Sequence, residues 1–68
     1  MKKTLGETLK EYREEKRVSQ KEMSKQVGIT QAAIARYELN RTEPRASDIV
    51  KLCRYFQVSP NELLGFED

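Results

Sequence analysis

Sixty-eight residues suffice for one domain with a small core, close to the lower limit at which a chain folds without a metal or a disulfide. A single cysteine and no histidine exclude an internal disulfide framework and leave neither a zinc site nor a histidine-based catalytic centre within reach. The net charge of +2 is too weakly basic to name a polyanionic partner, yet it is polarised: all 13 Lys and Arg fall within residues 1–58, and the last ten residues carry three acids and no base.

The first helix is expected over residues 4–16, TLGETLKEYREEK. Thr4 and Glu7 have the spacing of a capping box, and Leu5, Leu9 and Tyr12 cover one helical face. Gly6 is tolerated there at a cost of about 1 kcal/mol relative to Ala. Lys10, Glu11, Glu14, Glu15 and Arg17 read as a solvated, ion-paired outer face. Adjacent helical carboxylates do not face each other, so they make no acid–base pair.

Residues 19–42, SQKEMSKQVGITQAAIARYELNRT, encode two short helices and the turn between them. Ser19 with Glu22 forms a second capping box, and Val18 with Met23 a hydrophobic staple. Gly28 supplies the left-handed backbone that ends this helix after about two turns. Thr30 caps the next, with Ile29 and Ile34 as its staple. So short a connection cannot reverse the chain, and the two helices must cross steeply. Met23, Val27, Ile29, Ile34 and Tyr37 then share one core, leaving Gln31, Ala32, Ala35, Arg36 and Leu39 outside. That mixture of amide, methyl and guanidinium groups is unusual for a solvated face.

Asn40 is suited to a left-handed helix end, and Pro44 forbids continuation, leaving a loop that carries Arg41, Thr42 and Arg45. A fourth helix is expected over residues 46–57, with Ile49, Leu52, Cys53 and Phe56 as its buried stripe; Arg45, Ala46 and Ser47 all suit its start. Cys53 on that stripe reads as a small apolar core residue. Val58, Ser59, Pro60, Glu62 and Leu63 repeat the staple and box with proline at the first helical position, and the fifth helix ends at Gly65. An acidic tail, residues 66–68, follows. Strand alternation, internal repeats and low-complexity segments are absent from the sequence, so the expectation is an all-α chain.

Gln20, Ser24, Gly28, Ile34 and Tyr37 occupy the first, fifth, ninth, fifteenth and eighteenth places of a 20-residue helix-turn-helix, residues 20–39. With them, the string SQKEMSKQVGITQAAIARYE resembles the phage-repressor and Cro-type (XRE family) DNA-binding domains over roughly residues 5–64. The resemblance implies a compact five-helix bundle of the lambda-repressor-like type, forming one domain over residues 1–68. It also implies a sequence-specific regulator of transcription on double-stranded DNA, here expected to be a repressor. In that family an arginine at the place of Arg13 pairs with the glutamate closing the recognition helix, here Glu38.

On that reading Gln31 fits adenine N6 and N7, Arg36 fits guanine O6 and N7, and Ala32 and Ala35 permit close approach to a thymine methyl. Ser19, Gln20, Thr30, Asn40, Arg41, Thr42 and Arg45 are the expected phosphate contacts. One domain contacts few base pairs, so a homodimer on an inverted repeat is expected, with Tyr55, Leu63, Leu64 and Phe66 as its surface; closing the monomer core is the other role open to these residues, to Leu63 above all. No cofactor, metal or catalytic residue is expected. The absence of an apolar run of signal-peptide or transmembrane length suggests a cytoplasmic protein. Two other roles suit the same fold: an antitoxin or restriction-modification controller with a protein partner, and a protein-interaction module without DNA binding.

Overall fold

Four of the five helices begin at a hydroxyl that accepts one of their first free amides. The computed structural model describes residues 3–65, in which α1 runs over Leu5–Glu15, α2 over Gln20–Val27, α3 over Gln31–Glu38, α4 over Ala46–Phe56 and α5 over Pro60–Leu64. Thr4, Ser19 and Ser59 complete capping boxes with Glu7, Glu22 and Glu62, and Thr30 accepts from the Ala33 amide. The Ser19 and Thr4 amides hold the carboxylates of Glu22 and Glu7 below the usual range. Helix α4 is the exception: Arg45 stands at its N-cap without a side-chain cap bond. Asp48 in its first turn faces the positive end of the helix dipole.

The helix ends divide into two kinds. Gly28 and Gly65 both take φ 77, as a left-handed cap without a Cβ penalty allows. Arg17, Asn40 and Gln57 take φ 59, 58 and 56. Only Asn40 among these is a residue whose chemistry favours that region. All three are held by the same closure, in which the next amide returns five residues: Val18 to Arg13, Arg41 to Arg36 and Val58 to Cys53.

Leu9, Met23, Ile29, Ile34, Tyr37, Leu52 and Leu63 form the core, one or two from each helix and one from the α2–α3 turn. Leu5, Tyr12, Val18, Val27, Ile49, Cys53, Tyr55 and Phe56 pack around it, partly buried. Among the described residues there is no strand, and no helix is long and apolar enough to cross a membrane.

Two expectations need correcting. Leu63 is not a surface residue: α5 is laid against α1 and α4, and its Leu63 side chain is fully buried between them. It closes the monomer core and is unavailable to a second copy. Gly6 is not merely tolerated. A Cβ there would lie 2.5 Å from the Glu38 carbonyl oxygen and 2.7 Å from that of Tyr37, so this glycine sets how closely α1 approaches the end of α3.

Candidate nucleic-acid interface

The orientation of α3 is set at its C-terminal end by a clasp of four segments. Arg13 of α1 meets Glu38 bidentately, Nε to Oε2 at 2.6 Å and Nη2 to Oε1 at 3.0 Å. Its Nη1 donates to the Val18 carbonyl at 3.0 Å, and Gln20 Nε2 at the start of α2 donates to Glu38 Oε1 at 3.0 Å. The Glu38 side chain is only 5% exposed, so the carboxylate is dry, paired and fully orientated. Its hydrogen bonds raise the Arg13 guanidinium pKa further above its already high value.

A second tie lies beside it. Asn40, the left-handed residue after α3, accepts the Gly6 amide at 3.0 Å and donates to Thr4 Oγ1 at 2.9 Å. One N–H of the expected phosphate donor Asn40 is thus engaged within the fold, and its second N–H lies outside these two bonds. Its carboxamide holds the N-terminus of α1 on the C-terminus of α3. A third tie is inside: Tyr37 Oη donates to Asp48 Oδ2 at 2.6 Å, joining α3 to the first turn of α4. Asp48 escapes sequence inspection as a functional residue, although its i, i+4 spacing from buried Leu52 places it on the inward stripe.

These ties leave the opposite side of α3 free. Gln31, Ala32 and Arg36 are exposed, Ala35 is half-buried, and Leu39 is 65% exposed. The helix thus presents an amide, two methyls, a guanidinium and an isobutyl group in sequence along about two turns. Thr30 at its N-cap is exposed, as are Arg41, Thr42 and Arg45 in the following loop.

At the start of α2 the donors are fewer than the sequence suggests. Ser19 donates its amide to Glu22 Oε1, and its Oγ accepts from the Glu22 amide, both at 3.0 Å. The capping box therefore consumes two amides and leaves those of Gln20 and Lys21 outside it. One N–H of the Gln20 carboxamide is committed to Glu38, which fixes the group and leaves its second N–H directed elsewhere.

Of the expected dimer residues other than Leu63, Tyr55 and Leu64 are half-buried, and Phe66 lies outside the described residues. Tyr55 donates its hydroxyl to Gln26 Oε1, sits edge-on to Phe56 with centroids 4.9 Å apart, and carries Lys16 Nζ 4.8 Å from its ring centre. Among the described residues, no group of three His, Cys, Asp or Glu is placed to hold a metal ion.

The sequence model described as Helix-turn-helix matches residues 9–63. The chain belongs to this XRE-type helix-turn-helix family. Repressor protein C2 of Salmonella phage P22 is 32% identical over 60 residues, 88% of this chain and 28% of the phage protein. The uncharacterized HTH-type transcriptional regulator YqaE of Bacillus subtilis is 34% identical over 62 residues, 91% of this chain and 53% of that protein. The chain thus spans about half or less of the length of these relatives. The crystal structure of the P22 c2 repressor with synthetic operator 9T in the presence of Tl+ aligns with a TM-score of 0.88 at 29% identity, covering 96% of this chain and 98% of that one. The five helices are those of a lambda-repressor-like helix-turn-helix domain, in which α2 and α3 are the crossed pair.

Proposed function

We propose that this helix-turn-helix protein is a sequence-specific double-stranded DNA-binding regulator of transcription, working by occupancy as a cytoplasmic repressor rather than by catalysis. The observation that carries the reading is the free face of α3. Gln31, Ala32 and Arg36 stand exposed on a helix held from behind by Glu38, Asn40 and Tyr37. The P22 c2 repressor, solved with its operator, has the same fold over nearly the whole of both chains.

In this reading α3 enters the major groove. Gln31 offers the acceptor and donor that match adenine, Arg36 the fork that matches guanine, and Ala32 and Ala35 a close apolar approach to thymine methyls. Gln20, Thr30, Arg41, Thr42 and Arg45 hold the flanking phosphates, with the Gln20 and Lys21 amides at the positive end of α2. A single domain reads few base pairs, so two copies act on an inverted repeat with half-sites about 34 Å apart. With Leu63 in the core, the residues left for that pairing are Tyr55, Leu64 and Phe66, the last outside the described residues.

The test is selection of bound sites from random duplex DNA. The expected result is an enriched inverted repeat whose half-sites are about one helical turn apart. Recovery of no common sequence at low ionic strength would overturn the reading and favour a protein-interaction module on the same scaffold.

A further inference from the structure

Beside the exposed face of α3 lies an open concavity of about 430 Å³ between the α2–α3 turn, α3, the following loop and α4. Five donors line it: Thr30, Arg36, Thr42, Arg45 and Lys51. Two acids also line it. Asp48 is buried and already receives the Tyr37 hydroxyl, and Glu43 is exposed beside Thr42. The balance is three cations and two hydroxyls against two carboxylates, one of them turned to Tyr37, and Arg36 is shared with the exposed face of α3.

Lys51 is the unexpected member. It comes from α4, well outside the helix-turn-helix, yet its Nζ donates to the Gly28 carbonyl at 3.1 Å. That bond brings the ammonium to the turn just before the N-cap of α3. An ammonium has three N–H groups, so two remain for another acceptor. The Thr30 oxygen accepts from the Ala33 amide at 3.1 Å and keeps its own O–H to donate. Arg45 makes no cap bond with its side chain and is exposed. Donors from three separate segments thus line one open concavity along the edge of the helix that presents Gln31 and Arg36.

We propose that this concavity seats a phosphate of the DNA backbone flanking the groove that α3 enters, and that Lys51 is a phosphate contact supplied by α4. The proposal rests on the DNA-binding reading above and adds to it a residue outside the helix-turn-helix. Phosphate neutralisation carries no base information, so Lys51 sets affinity and salt dependence without choosing sequence. Its bond to Gly28 also closes the turn, a structural part that must be measured separately.

The experiment titrates wild type, Lys51→Gln and Lys51→Arg against two duplexes over a range of salt, one selected from a random pool and one of unrelated mixed sequence, with urea denaturation of each variant alongside. Lys51→Gln is expected to flatten the slope of log affinity against log salt by about 0.9 on both duplexes. Between about 50 and 200 mM salt it should therefore lose roughly threefold less affinity than wild type. Lys51→Arg should keep the wild-type slope, and the ranking of sequences should not change. A Lys51→Gln slope equal to wild type overturns the proposal even if affinity falls, since loss of the Gly28 bond alone lowers stability without releasing fewer counterions. An altered slope in Lys51→Arg overturns it too. If wild type binds neither duplex, the DNA-binding reading falls and takes this one with it. If wild type binds steeply and Lys51→Gln matches it, the phosphate seat fails alone.

Discussion

Tyr37 and Asp48, eleven positions apart, meet in the interior through a 2.6 Å hydrogen bond that locks the recognition helix to the first turn of α4. Burial first, and then the bond to Asp48, push the Tyr37 phenol above its usual 10.0. A raised folded-state pKa means that the group's contribution to stability is whole below pH 10.0 and is lost as pH climbs through the folded value. Tyr37→Phe should cost about 1–3 kcal/mol at neutral pH, because it leaves the Asp48 carboxylate buried without its donor. The difference between wild type and Tyr37→Phe should then shrink in urea titrations above pH 10.0. A difference that stayed constant through the alkaline range would show that folding does not raise the phenol pKa, and no difference at neutral pH would show that the bond contributes nothing.

The clasp at the end of α3 predicts an asymmetric mutational response. Glu38→Ala leaves Arg13 without its partner and Gln20 without its anchor, and should destabilise by about 3 kcal/mol. Arg13→Lys should recover little relative to Arg13→Ala, since a lysine cannot make the two-pronged contact. Thermal and urea unfolding of the three variants check both statements; an Arg13→Lys protein as stable as wild type would reduce the clasp to simple charge attraction.

Gly6 gives a prediction opposite in sign to helix propensity. Alanine in a helix interior normally gains about 1 kcal/mol over glycine. Here the new methyl would meet two backbone oxygens under 3 Å away, which cannot yield as a side-chain tip would. Gly6→Ala should therefore lower stability by about 1–3 kcal/mol, as overpacking does. A raised melting temperature would mean that α1 can move off α3 freely.

On the proposed DNA-binding reading, base reading and phosphate holding should separate by mutation. Arg36→Ala should cost about 1–3 kcal/mol at one base pair and relax preference there, whereas Arg41→Ala should weaken all duplexes alike and reduce the salt slope by about 1. Titration against single-base variants of a selected site distinguishes the two. Uniform weakening by Arg36→Ala would move that residue from the bases to the backbone.

Short-range chemistry is what the sequence alone determines in this protein. A hydroxyl followed three residues later by Glu marks the starts of α1, α2 and α5, and Gly28 and Gly65 mark two ends, because each device closes within one turn of chain. The same locality exposes the crossed helix pair and its outward Gln31 and Arg36. Arg17 and Gln57 are different: nothing in their side chains favours a left-handed conformation, and they are held in it by the closing bonds from Val18 to Arg13 and from Val58 to Cys53.

Tertiary structure decided which polar groups remain free. Gln20 bonds across 18 positions to Glu38, Asn40 across 34 to Gly6, and Lys51 across 23 to Gly28. It also drew Leu63 into the core and brought Gly6 against the carbonyls of α3. Hydrogen bonds and close packing between distant segments depend on where two helix axes cross, and that geometry is a property of the assembled core rather than of any local run of residues.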